Sequence, residues 1–569
     1  MIQHNQTRNQ VFLMLILTLV VFHSLGQGIN RGQDEQVTIR GSYDPTINQA
    51  FKINSKPETF SPTLKIQEFS FQSIEVDQPT NVTLEPIEST KIRADRKAKT
   101  YNNYLKAGIG SWISPYIDFT HSSGSKDAQF SANLYHLSSF KNIDNYSPSP
   151  NSNTQINIGW DKMTKTHVFS IGADYQLKTN RFYGFKPDDF PNIVMDEDNL
   201  NQMFNLIRTN IGLKSNYKKE SQLHHSFKIG AYYYFDRFNS SETNALFEFD
   251  LHKAFNVTKL LNFQHLGLEG KVEYFGNTDS IQSNTDIFFE GTPYFKAKYG
   301  IVNFNIGLKF GYLSSDNSVF AFNPVIKVDL NVIPEGLTIY AGIDGGLEKN
   351  SLLRLTSANP WMALDTSLKW QNNRFDIYGG IRGSIARQLG FNLNVRYIAF
   401  EDMAFFINTS ESVTWGGPLF PQNKFLTTYD DGNVFRFSGE LTYSLGGNLK
   451  LWLNGEYNIY KLDSLKKAYH KPISFMKLGG SYLIRKKVNL WLETMLYGER
   501  FAVNNETLFK PTELTIDGFV DLNFGISYFI SDNFSVWLSG TNLLNSNYER
   551  FYNYPVQGLE IMGGIGIRF

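Results

Sequence analysis

The end of the chain alternates strictly between two faces. Leu559, Ile561, Gly563, Ile565, Ile567 and Phe569 fall on one, and Gly558, Glu560, Met562, Gly564, Gly566 and Arg568 on the other. A β-strand has a period of two, so this segment carries one apolar face and one small or polar face. Nothing follows it to cover the apolar side, and the pattern predicts a strand solvated there by lipid. The same dyad recurs from residue 101 onward, in segments of roughly 9 to 16 residues separated by Asn, Asp, Gly, Ser and Lys turns. Val302, Phe304, Ile306, Leu308 and Phe310 alternate with Asn303, Asn305, Gly307 and Lys309. Comparable sets are Leu451, Leu453, Tyr457 and Ile459 against Asn454, Glu456 and Asn458, and Val520, Leu522, Phe524, Ile526 and Tyr528 against Asp521, Asn523, Gly525 and Ser527.

The position of charge makes the pattern informative. A Lys or Arg facing lipid near the bilayer midplane costs about 2 to 4 kcal/mol, so charges should collect on the other face. Arg208, Lys214, Lys228, Lys309, Glu456, Asp521 and Arg568 all fall on the polar set and are the expected lumen-facing charges. The prediction is an all-β chain, a large antiparallel transmembrane β-barrel. Residues 101–569 have room for about 22 strands, with 16 to 24 as the range and an even number favoured by closure. The last strand is expected to pair with the first, near residues 104–109. A soluble β-sandwich would also alternate. Against it stand segments long enough to cross a bilayer at a tilt, a polar face continuous over hundreds of residues, and the export signal described next.

Residues 1–27 read as a secretory signal peptide. Arg8 lies in a polar stretch, residues 11–22 are apolar except for Thr18, and small or polar residues follow. That apolar run is shorter than the roughly 20 residues a spanning helix requires. Downstream no run approaches that length, and the mean hydropathy is −0.30. An exported chain without spanning helices is either soluble or a barrel. Residues 28–100 hold Pro45, Pro57, Pro62, Pro79 and Pro86 and a basic run from Lys91 to Lys99. Prolines so spaced disfavour helix and central strand, and the segment reads as an extended periplasmic or lumenal arm ahead of the barrel, residues 101–569.

Composition narrows the chemistry. Basic and acidic residues balance at 54 each, which gives no footprint for nucleic acid. With no cysteine there is no disulfide, thiolate metal site or lipidated cysteine. The high count of Phe, Tyr and Gly (47, 30 and 44) suits strands, interfacial girdles and tight turns. Tyr232, Tyr233, Tyr234, Phe235, Trp491, Trp537, Tyr548, Phe551 and Tyr552 are expected at the girdles. His224 and His225 are adjacent, so on a strand they point to opposite faces and could not share a metal without a bulge. Asp196, Glu197 and Asp198 form an acidic loop cluster that could hold calcium or a ferric chelate, although the usual explanation of such a cluster is a solvated loop tip, and no metal site is expected. No catalytic motif stands out, and neither an enzyme nor a cofactor is expected.

The stretch Thr541-Asn542-Leu543-Leu544-Asn545-Ser546-Asn547-Tyr548, followed by Tyr554-Pro555 and the terminal strand, resembles the closing segment of TonB-dependent outer-membrane receptors. Ala358-Asn359-Pro360-Trp361 and Tyr378-Gly379-Gly380-Ile381-Arg382-Gly383 are similar to a barrel segment of that group, and Phe569 resembles the terminal signal read by the barrel assembly machinery. The resemblance implies an outer-membrane location, uptake of a ligand and a TonB-type energising partner. It is incomplete: receptors of this group carry a plug of well over a hundred residues, whereas roughly 70 separate the signal from the first strand here. Val37-Thr38-Ile39-Arg40-Gly41 resembles a plug strand, but no box for the energising partner is found. Three functions therefore stay open: ligand uptake, a passive porin, and a non-transporting barrel that anchors an envelope complex.

Overall fold

The computed structural model describes residues 100–189, 197–279, 283–316, 318–364, 367–386, 388–408, 424–504 and 512–569. The expected signal peptide, and all but the last residue of the expected arm, lie outside them. One 22-stranded antiparallel sheet dominates the described residues. Each barrel strand pairs with its neighbours in chain order, and the first, Asn103–Gly110, pairs with the last, Glu560–Arg568. The register of this seam runs from Tyr104 opposite Arg568 to Gly110 opposite Met562, so the ring closes where the terminal alternation predicted. Closure leaves no sheet edge, which is the condition for a β-structure to sit in hydrocarbon.

The two faces of the wall follow the dyad. In the strand Val302–Ser314, Ile306 and Phe310 are about half exposed (50% and 47%), while Lys309 on the other face donates to Asp344. Ile207, Ile211, Ile229, Ile377, Ile459 and Ile561 are likewise exposed on their strands. An exterior band of exposed Ile, Leu and Phe around a closed sheet is a lipid-facing surface, and the protein is an outer-membrane β-barrel.

The two ends differ. At the end holding Asn103 and Phe569 the connections are short, as at residues 334–336, 446–448 and 485–487. Gly446 and Gly447 both take left-handed φ (57° and 72°), which reverses the chain there within three residues. The longest connections all lie at the other end: 182–200, 350–369, 463–473, 498–518 and 542–559. Short turns mark the periplasmic end of such barrels and long loops the extracellular one. The long loops carry a seven-residue helix, Leu352–Ala358, and two small hairpins, Arg500–Asn504 with Thr512–Ile516 and Glu549–Phe551 with Tyr554–Pro555.

Part of the girdle expectation is corrected. Trp537 lies between the exposed Val536 and Leu538 and is buried, so it faces inward, where Tyr116 meets it edge-on at 5.6 Å. Trp491 is also on the inner face, alternating with the exposed Leu492. Glycines on nearby strands make room for both rings: a Cβ at Gly108, two strands away across the seam, would strike Trp537, and one at Gly525 on the neighbouring strand would strike Trp491. Tyr234 and Phe551 are buried too, and of the Tyr232–Phe235 run it is Tyr233 that is exposed. Indole and phenol rings suit an interface by chemistry, but the parity of their position on the strand decides which side they occupy.

Candidate functional site

All seven charges expected in the lumen lie on the strand face opposite the exposed apolar set, and the fold does not gather them. Arg208 stands 6.0 Å from the Tyr232 ring. Lys214 is further along the same face, toward the short-turn end. Lys228 donates to Glu248 at 3.0 Å, and Lys309 donates to Asp344 and to the Gly345 carbonyl, both at 2.8 Å. Glu456 lies 3.3 Å from Arg436 and accepts from Asn458 at 2.7 Å. Asp521 is buried and accepts from the Tyr548 hydroxyl at 2.9 Å, while the Arg568 guanidinium stands 5.3 Å from the Phe529 ring. Phe569 exchanges backbone hydrogen bonds with Asn103 at the seam.

Between the strands Val319–Ile333 and Leu449–Leu462 the inner wall carries a denser array. Arg382 pairs with Asp329 at 2.9 Å, Arg396 with Asp376 at 3.3 Å, and Arg436 with Glu456. Arg396 and Arg436 are direct cross-strand partners. Like charges in that position repel, and the interleaved carboxylates offset the repulsion. Arg382 and Arg396 also stand over the rings of Tyr340 and Tyr378, at 5.0 and 5.2 Å. None of these three arginines is among the charges expected in the lumen from sequence, where Arg382 enters only within the family-like motif, because the pairing depends on register across neighbouring strands.

The most extensive apolar packing lies at the long-loop end. Phe182 and Phe185, Leu355, Trp361 and Met362, Phe406 and Phe425, and Phe551 and Tyr554 form one buried cluster. Three of its loops follow the fifth, thirteenth and twenty-first of the 22 barrel strands, spacings of eight, eight and six around the ring. They meet at a ring trio: Trp361 stacks on Tyr554 at 4.1 Å, and Tyr183 meets Trp361 at 5.8 Å and Tyr554 at 4.9 Å. Polar contacts fix the trio in place. The Tyr183 hydroxyl donates to the Pro555 carbonyl at 2.8 Å and the Trp361 indole to the Arg181 carbonyl at 3.0 Å. Loops rooted at well-separated points of the circumference thus join across the mouth as a lid.

The lid is tied to the wall and to its neighbouring loops. Glu242, fully buried, accepts from the backbone N–H groups of Leu352 (2.7 Å) and Leu353 (3.2 Å) and from the Tyr232 hydroxyl (2.8 Å), which satisfies the open end of the short helix. Arg500 donates to the carbonyls of Arg550 and Glu549 at 2.7 and 2.9 Å. His470 is buried between Phe425 and Phe551, with ring centroids 5.1 and 5.2 Å away. Among the described residues neither of its ring nitrogens has a partner. Burial, reinforced by the Arg500 charge, pushes its pKa down to about 3, so the imidazole is neutral.

The remaining sequence candidates disperse. Asp196 lies outside the described residues, and Asp198 pairs with Arg237 at 2.9 Å. His224 stacks on His252 and His225 sits against His167, so the adjacent pair does split between faces. Among the described residues no group of three His, Asp or Glu side chains has metal-holding geometry.

Solved structures share this architecture. FpvA of Pseudomonas aeruginosa, bound to a heterologous ferric pyoverdine, superposes with a TM-score of 0.60 at 14% identity, over 82% of this chain and 72% of that one. The chain shares the barrel fold of that outer-membrane receptor. The siderophore receptor PirA of Acinetobacter baumannii gives a TM-score of 0.60 at 12% identity, over 82% of this chain and 80% of that chain. The ferric-catecholate import receptor Fiu of Escherichia coli gives 0.58 at 9% identity, over 83% and 82%. The barrel carries the likeness. No protein-family model and no curated protein matches the sequence.

Proposed function

We propose that this barrel is a gated outer-membrane receptor, which admits a solute through its lumen when the loop lid opens. The observation that carries the reading is the Tyr183–Trp361–Tyr554 trio joined across the mouth, above an inner wall of paired charges. A passive porin needs a mouth that stays open, and the trio argues against it. The neighbours add support: their titles name siderophore reception and ferric-catecholate import, which makes a ferric chelate the first class of cargo to assay and a TonB-type complex the expected energising partner.

The second reading, a barrel that anchors an envelope complex, draws on the same lid. Its core is apolar and fully packed, as a permanent cap requires and as a gate must disrupt. Planar-bilayer recording separates the two. The gated reading expects a silent wild type, channel openings in Trp361→Ala, and cellular uptake that depends on the energising complex. A variant with a loosened lid that remains silent, in cells showing no uptake defect when the gene is deleted, would leave the anchoring role.

A further inference from the structure

Apart from the lid core, a cavity of about 330 Å³ lies against the inner wall near the mouth, a volume within the range that holds a small ligand. It is bounded by the ends of the strands Asn262–Thr278 and Ser283–Tyr299 and by Leu352, Leu368 and Trp370. Two cations line it, and both are already neutralised. Lys349 is ion-paired with Asp286 and donates to the Leu368 carbonyl at 2.9 Å, and Lys369 donates to Asp402 at 2.7 Å. Asp279 and Asp316 add further negative charge to the lining. An anion would therefore meet carboxylates and no available counter-charge.

Asn277 is the exception to this internal satisfaction. It lines the cavity, is nine-tenths buried, and among the described residues neither its amide nitrogen nor its oxygen has a partner. Buried polar atoms of native proteins are almost always paired, and an orphaned one points to a group the structure does not hold. A primary amide offers two donors and an acceptor side by side, which matches neighbouring hydroxyls on one ligand. Asn284, the direct cross-strand partner of Asn277 on the same face, and the buried Ser240 line the same cavity and extend that match.

We propose that this cavity binds a neutral polyhydroxylated solute of mono- or disaccharide size, with Asn277 as its central contact. That the bound solute is then carried inward rests on the gated-uptake reading; the binding itself does not. The test uses the purified full-length protein in a sugar-free detergent, titrated with galactose, maltose, spermidine and citrate by calorimetry and tryptophan fluorescence. One of the two sugars is expected to bind, and Asn277→Leu to weaken it at least tenfold while the heat-modifiable electrophoretic mobility of the folded barrel is unchanged. Asn284→Leu serves if the first variant does not fold, with a smaller loss expected. Binding of spermidine or citrate in place of both sugars, binding of none of the four, or equal sugar affinity in wild type and the folded variants would overturn the proposal. A sugar-binding barrel that never conducts would remove the uptake reading and leave the site; a conducting barrel that binds no sugar would do the reverse.

Discussion

The wall and the lid use the same residue types to opposite ends. In the wall, Ile229, Phe310 and Phe322 are among the exposed large hydrophobic residues; in the lid, Phe182, Met362 and Phe425 are almost completely buried. The difference lies in the solvent. Within the bilayer an apolar side chain loses nothing by facing outward, and the wall is held by its closed hydrogen-bond ladder. Beyond the headgroups the surroundings are water, and the loops must bury their rings against one another. One chain therefore switches its rule of burial within a few residues, where strand passes into loop.

The comparison breaks first at the lid. Trp361→Ala removes a stacked, buried indole and should cost the lid about 3 to 5 kcal/mol, seen as channel openings and as entry of large antibiotics otherwise excluded from intact cells. A lid unaffected by this change would not be held by its apolar core. The wall has its own breaking point. Ile229→Lys places a charge on the lipid face and should destabilise the barrel in vesicles by about 2 to 4 kcal/mol in urea titrations. Ala substituted at the same position should cost far less, since the penalty belongs to the charge.

Acidification probes the lid without mutation. His470 is neutral and buried when the lid is closed, with its pKa depressed to about 3, and opening returns it to its ordinary value of 6.5. The closed lid thus keeps its full advantage above about pH 7 and loses it as pH falls from 6.5 toward 3. Between pH 7 and pH 5 the open form gains roughly 25-fold, about 2 kcal/mol. Open probability should rise over that interval in wild type and stay flat in His470→Phe; identical profiles would show that His470 does not move into water. The smallest effect is expected at Lys228, whose contact with Glu248 is solvent-exposed on both sides. Lys228→Gln should change stability by less than about 1 kcal/mol, which chemical denaturation can bound.

Sequence reading reached the wall and stopped short of the lid. The wall is legible because its two determinants, a period of two and the cost of charge in lipid, act on residues adjacent in the chain. Lys309 and Phe310 declare their sides without reference to anything distant. The lid joins Tyr183, Trp361 and Tyr554, which are separated by well over a hundred positions and carry no shared period. Trp361 and Tyr554 did stand out, yet as parts of a family-like motif whose contacts could not be inferred. Trp537 was assigned to a girdle because ring chemistry was weighed ahead of strand parity. The inward placement becomes clear once Val536 and Leu538 are seen on the outside and Gly108 is seen across the seam.

The seam between Asn103–Gly110 and Glu560–Arg568 also shapes how the molecule comes into being. Its strands are joined by a hydrogen bond between positions 466 residues apart, which is about as non-local as contacts in this chain can be. Every other barrel pairing can form between sequence neighbours, but the ring cannot shut until the last strand has been delivered. High contact order of this kind makes closure slow and leaves both terminal strands with open edges in the meantime. A barrel built in this way needs an escort that shields those edges during the wait, and the natural place for the escort to hold is the strand that arrives last.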